Sequence, residues 1–286
     1  ITKYLAYPVM SLLGAAGILS LPVAVTAQPL ARMGISPDRY EVAFDARGGD
    51  TQSLMVQNLS DTPLTVKLSV NHWDLDENGQ VRVIEPEESS LDQWIVINPL
   101  TVTIPPKTPQ TIRWAIMPRL QPQEGEYRAI IFIEEDLPPR DQTEGTQVRM
   151  KMRYGLPIYG QVGERIQSAE FRGINVDRDN NRIYIDLENT GNSHARMTGN
   201  FGIWPVKEFP GTETALSLLN GAARRNIEPE GFAVKPMPGA VILPGSARAI
   251  ALDAVLEQAG EYVIQLNAEF ADLKITDAIN VTQPET

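Results

Sequence analysis

Short runs of β-branched and aromatic residues recur along this chain at a spacing of about ten residues, each closed by Asn, Asp, Gly or Pro. That rhythm restricts the fold more than any other feature, because segments so short bury their apolar sides only when many pair into sheets and two sheets face each other. Strands are expected over 40–44, 52–57, 64–73, 81–85, 95–97, 100–104, 110–117, 125–134 and 147–154, with a second series over 166–174, 182–188, 195–204, 232–241, 248–252 and 261–270. Residues 214–225 have helical composition, but Gly221 and a short apolar repeat predict only a surface turn. The expected fold class is therefore all-β, with two immunoglobulin-like sandwiches in tandem. Their boundaries are 28–159 and 164–286, joined by a short linker at 160–163 that holds a fixed angle and leaves a cleft.

With 286 residues, of which 42% are hydrophobic, the chain is long enough for two modest cores. A formal charge of −11, spread over both halves, excludes a nucleic-acid partner, which needs a basic face. Cysteine is absent, so there are no disulfide staples, no thiolate nucleophile and no soft-metal cluster. Residues 1–27 read as a signal peptide: Lys3 precedes an apolar run from Leu5 to Val25, and Val25-Thr26-Ala27 offers small residues for cleavage before Gln28. Export is expected, with membrane contact only through this segment if it stays uncleaved.

The stretch Thr146 to Tyr154 alternates strictly. Val148, Met150, Met152 and Tyr154 fall on one face and Gln147, Arg149, Lys151 and Arg153 on the other, before a turn expected at Gly155 and Pro157. The methionine-rich face serves either the strand's own core or a groove on another protein, since Met fits irregular surfaces at little strain.

Asp74, Asp76, Asn78 and Glu85, with Gly79 between them, satisfy the ligand spacing of an EF-hand calcium loop. The flanks read as strands rather than helices, so a hairpin with Asn78 and Gly79 at positive φ is expected, and no metal or other cofactor. Catalysis has little support. His72 and His194 lack a nucleophile or second histidine at motif spacing and read as structural, while Glu134-Glu135-Asp136 and Glu87-Glu88 read as solvated charge. No phosphate-binding glycine loop is present, and the chain is expected not to be an enzyme.

From Ile35 to Tyr159 the sequence resembles the first domain of the PapD-like periplasmic chaperones of pilus assembly. The resemblance is carried by Ser36-Pro37-Asp38-Arg39-Tyr40-Glu41-Val42, Leu54-Met55-Val56-Gln57-Asn58-Leu59-Ser60, Trp94-Ile95-Val96-Ile97-Asn98-Pro99, Gln110-Thr111-Ile112-Arg113-Trp114 and Gly125-Glu126-Tyr127-Arg128-Ala129, in that order. Glu188 to Ser193 and Leu243 to Arg248 extend it loosely into the second half. The resemblance implies a periplasmic chaperone that lends a strand to fibre subunits, with Val148, Met150 and Met152 as the donated side chains and an outer-membrane usher as a further partner. It also implies two basic residues that anchor the subunit's terminal carboxylate: Arg153, with Lys151 next, and on the first strand Arg39, because a gapless match puts Glu41 where the family has its arginine. Either Arg39 has taken that role or the partner is held differently. A rival reading is an exported cell-surface binding module of two sandwiches, tuned by calcium at Asp74 to Glu85.

Overall fold

The computed structural model describes residues 32–137, 150–177, 182–225, 232–254, 256 and 259–283. The segment read as a signal peptide lies outside them. No helix among the described residues is long and apolar enough to cross a membrane.

In the first half the strands in chain order are β1 (Met33–Ser36), β2 (Tyr40–Ala43), β3 (Gln52–Asn58), β4 (Leu64–Asn71), β5 (Trp73–Leu75) and β6 (Val81–Val83). They continue with β7 (Ile95–Asn98), β8 (Thr101–Ile104), β9 (Pro109–Ile116), β10 (Gly125–Glu135) and β11 (Arg153–Val162). One sheet has the order β1-β3-β9-β7, the facing sheet β2-β11-β10-β4-β8, and β5 and β6 form a separate hairpin. The period of two does what it should: Leu54 and Val56 on β3, Ile112 and Trp114 on β9, Ile131 and Ile133 on β10, and Leu156 and Ile158 on β11 meet in one core. Alternate residues such as Met55 and Arg113 face outward.

The second half has β12 (Ala169–Asp177), β13 (Arg182–Asn189), β14 (Ala195–Arg196), β15 (Thr198–Pro205), β16 (Ala233–Pro236), β17 (Val241–Ile242) and β18 (Ala247–Leu252). It ends with β19 (Gly260–Phe270), β20 (Leu273–Ile275) and β21 (Ala278–Gln283). A sheet ordered β12-β13-β18 faces one ordered β16-β15-β19-β20, with β21 also on β19, over a second core that includes Ile185, Leu187, Phe201, Ile264 and Leu266. The chain is thus all-β, built of two immunoglobulin-like sandwiches.

Both sandwiches use the same device at the end of a central strand. Asn58 is fully buried, and its Nδ2 lies 2.8, 3.0 and 3.1 Å from the carbonyls of Thr62, Ile104 and Pro105. Asn189 is likewise buried, donating to the carbonyls of Ser193 and Ile242. In each case one amide ties a turn to a strand outside its own sheet and satisfies acceptors that would otherwise be stranded.

Four local expectations are corrected. Gly155 and Pro157 make no turn: β11 runs through both, paired with β10 from Glu134↔Arg153 to Gly125↔Val162. Pro157 is tolerated because it lies where β11 has a neighbour on one side only. Residues 212–225 form a helix, α1 (Thr212–Arg225), not a single turn; Ala215 and Leu219 pack on Trp204, and a Cβ at Gly221 would meet open space, so the glycine costs only propensity. Glu135 is not solvated but buried, with Arg32 Nη1 at 2.6 Å. Of the Asn78-Gly79 pair, only Gly79 takes positive φ (72°).

Candidate functional site

β11 has an unequal pair of edges. Its partner β10 covers it from end to end, whereas β2 pairs with it, in parallel, only over Ile158 to Gln161. Among the described residues, Arg153 to Pro157 therefore present unpaired backbone groups along one side, the geometry to which another strand adds. The core-facing parity of Leu156 and Ile158 continues backward through Met152, which packs partly against the first core, to Met150, which is 68% exposed. Met150 to Met152 are not in a strand as the alternation predicts, although the amide of Glu135 still donates to the Met152 carbonyl at 2.9 Å. Val148 lies outside the described residues.

The opposite face of β11 carries the cations. Lys151 Nζ is bonded to Glu134, and Arg153 Nε stands 3.7 Å from the same carboxylate with its guanidinium 3.6 Å above the Phe132 ring. The Lys151 hydrogen bond, against the small effect of partial burial, holds the Glu134 carboxyl below its ordinary range. Arg39 is not brought to them. It precedes Tyr40, which pairs with Ile158, so about 13 Å of strand separates it from the register of Arg153. Its own partners are Asp38 and Glu41, each at 3.3 Å.

Where the two sandwiches meet, Trp73, Ile130 and Tyr159 of the first pack with Leu243 of the second. Beside them His194, 4% exposed, stacks on Tyr159 with ring centroids 3.7 Å apart. The backbone N–H of His194 and its Nδ1 lie 2.7 and 2.6 Å from Glu126 Oε2, and its Nε2 lies 3.5 Å from Glu41 Oε1. Both ring nitrogens thus face carboxylates, which is a structural role rather than that of a base beside a nucleophile. Arg165 donates through both terminal nitrogens to Glu41 Oε2, at 3.1 and 3.0 Å. Burial pulls the Glu41 carboxyl upward, but the bonds from Arg165, the charge of His194 and the contact with Arg39 together hold it below its usual value. Burial pushes the Tyr159 phenol up to about 12. A cleft of about 340 Å³ opens here, lined by Glu41, Glu126, Tyr159, Gln161 and Arg165 among others. Glu126 and Arg165 were invisible to sequence reasoning, because the residues they meet stand 68 and 124 positions away.

The EF-hand-like segment is the β5–β6 hairpin. Asp76 accepts the amides of Asn78 and Gln80 with one carboxylate oxygen, and its carbonyl accepts from Gly79, so its oxygens close the turn. Arg248 reaches over from the second sandwich to the Asn78 carbonyl at 2.7 Å. Among the described residues no group of three or more His, Asp or Glu is placed to hold a metal.

No protein-family model and no curated protein matches the sequence. Solved structures do resemble it. The class 5 fimbriae chaperone CfaA is 12% identical with a TM-score of 0.47, over 89% of this chain and 100% of that one. The chaperone–tip adhesion subunit pre-assembly complex CsuC–CsuE, from the archaic chaperone-usher Csu pili of Acinetobacter baumannii, aligns at 14% identity and 0.45, over 89% and 100%. The SafB chaperone in complex with the SafA pilin, from Salmonella enterica, aligns at 12% and 0.42, over 90% and 99%.

Proposed function

We propose that this chain is a stoichiometric, non-enzymatic chaperone of the periplasm that stabilises pilus or surface-fibre subunits by lending them a strand. The observation that carries the reading is the half-open edge of β11, whose unpaired stretch from Arg153 to Pro157 leads directly back to the exposed Met150. A subunit lacking one strand of its own sandwich would gain backbone hydrogen bonds along that edge and fill its open core with Val148, Met150 and Met152. Burial of three such side chains is worth roughly 5 to 8 kcal/mol before ordering costs. In this reading the domains are 28–159 and 164–286, and Lys151 and Arg153 take the subunit's terminal carboxylate in exchange for Glu134. Arg39 stands too far along the sheet to share that carboxylate, so it acts as a separate contact. An usher is the expected acceptor of the loaded complex.

The test is co-expression of the chain with fibre subunits from the same organism, followed by purification from the periplasm. A subunit that copurifies at one to one, and is lost with Met150→Asp, supports strand donation. A lone monomer with every subunit tried would overturn it.

A further inference from the structure

The β5–β6 hairpin leaves two apolar side chains uncovered among the described residues. Trp73 faces Val83 and Leu75 faces Val81 across the hairpin, and directly opposed residues of an antiparallel pair project from one face. Trp73 and Leu75 pack into the junction cluster with Ile130, Tyr159 and Leu243, whereas Val81 and Val83 overhang it and are 51% and 47% exposed. A free two-stranded hairpin is marginal in water, and this one is held at both ends. Trp73 is buried at its base, and at its tip Arg248 of the second sandwich donates to the Asn78 carbonyl and lies where a side chain on Gly79 would stand. The valines are therefore presented about 7 Å apart on a fixed support.

Single exposed apolar residues need no explanation, but this pair continues an apolar strip that reaches the open edge of β11. Phe132 packs on the same cluster as Trp73 and pairs directly with Gly155. A Cβ at Gly155 would meet Ile130 Cδ1 at 2.8 Å and Phe132 Cε1 at 3.2 Å, so these two side chains fill the space above Gly155, beside the unpaired edge. A strand added there meets Phe132 on its outward face, and an apolar protein surface that follows the strip away from Gly155 reaches Trp73 and then the valines. We propose that the β5–β6 hairpin is a second contact for the fibre subunit, a shelf on which apolar side chains of the bound subunit's own sandwich rest on Val81 and Val83. The contact rests on the strand-donation reading and adds to it a surface that takes no part in the donated strand.

Competition for a limiting subunit tests it. Wild-type and variant full chains with different tags are co-expressed with a fibre subunit, and the subunit recovered on each is compared by mass spectrometry. Val81→Asp combined with Val83→Asp should fall behind the wild type by about thirtyfold or more, because two half-exposed valines lose their burial and two carboxylates must be desolvated. The pair Val81→Thr and Val83→Thr, which keeps the β-branched shape, should fall behind by about threefold to tenfold. Val96→Asp, comparably exposed on β7 of the facing sheet, should compete as the wild type does. Equal recovery with both hairpin pairs overturns the shelf, while a subunit still lost with Met150→Asp leaves strand donation standing; no subunit on the wild type overturns both. Should the Asp pair lower the urea midpoint of the free protein, the Thr pair decides alone. A free protein that sediments as a dimer and turns monomeric with the Asp pair gives the valines to a second copy and likewise overturns the proposal.

Discussion

Met150 and Met152 lie on the same face of one segment, yet replacing each by Asp is expected to harm different things. Met150 is 68% exposed, so in the free protein Met150→Asp moves a side chain already in water and should change unfolding free energy by no more than about 0.5 kcal/mol. Met152 packs against the first core beside Leu156 and Ile158, and an aspartate there both loses apolar contact and approaches an apolar interior, at a cost of roughly 2 to 4 kcal/mol. In the subunit complex the two converge. A pocket that buries Met150 forfeits about 1.5 to 3 kcal/mol of transfer energy and must also desolvate a carboxylate, which together amount to a loss of affinity of a thousandfold or more, on the order of 4 kcal/mol. Urea unfolding of the free variants and copurification of a subunit measure the two halves separately. If Met150→Asp destabilises the free protein as much as Met152→Asp does, its side chain is already covered in the resting fold, and the donor reading fails.

Four further outcomes follow from the geometry. Asn58→Ala strands the carbonyls of Thr62, Ile104 and Pro105 and should lower stability by roughly 2 to 4 kcal/mol in urea unfolding, whereas an exposed neighbour such as Gln57→Ala should cost little. The Glu41 carboxyl is held below its ordinary value of 4.5, so its contribution is present above that pH and lost as pH falls through the lowered value; Glu41→Gln should flatten the acid limb of the stability profile. For Tyr159 the sign reverses: with the folded phenol near 12 and the unfolded one at 10.0, the unfolded chain ionises first, and stability present below pH 10 should decline by about 2 kcal/mol as pH rises to 12, a loss that Tyr159→Phe should remove. Millimolar calcium should leave the Tm unchanged, because Asp76 already serves the hairpin turn; a rise would favour the calcium-tuned binding module.

What the sequence made legible was whatever a short window contains. The alternation of Leu54, Val56 and Asn58 against Ser53, Met55 and Gln57 marks β3 and its buried face unaided, and the Asp76 to Gly79 turn marks its hairpin. Window reasoning failed where distant partners decide. Gly155 and Pro157 are breakers locally, but ten paired residues of β10 outweigh two poor strand formers. Glu135 looks like one acid among three until Arg32, about a hundred residues earlier in the chain, covers it. The junction of Glu41, Glu126, Arg165 and His194 left no trace at all in spacing, since its members come from separate strands and turns in both sandwiches. Residue chemistry named His194 as structural; only the fold shows what it supports.

β11 carries both the half-open edge and one side of the junction. Among its even-numbered side chains Leu156, Ile158 and Val162 pack into the first core, while Arg153, Tyr159 and Gln161 face Glu134, the junction and the cleft. A slip of one residue against β10 would exchange the two sets, driving Arg153 and Gln161 into the core and Leu156 into the junction, so the register is pinned from both faces at once. Pinning is what an open edge requires. A strand whose backbone is unpaired on one side from Arg153 to Pro157 is a hazard for slippage and aggregation unless something beyond its one neighbour holds it in place. Tyr159, clamped between Trp73 and His194, and Gly160, whose missing side chain admits the Phe44 ring, supply that hold a few residues beyond the exposed stretch. The rigid half of β11 thus allows the other half to remain unpaired, and loosening the junction by His194→Ala should raise self-association of the free protein before it lowers affinity for any partner.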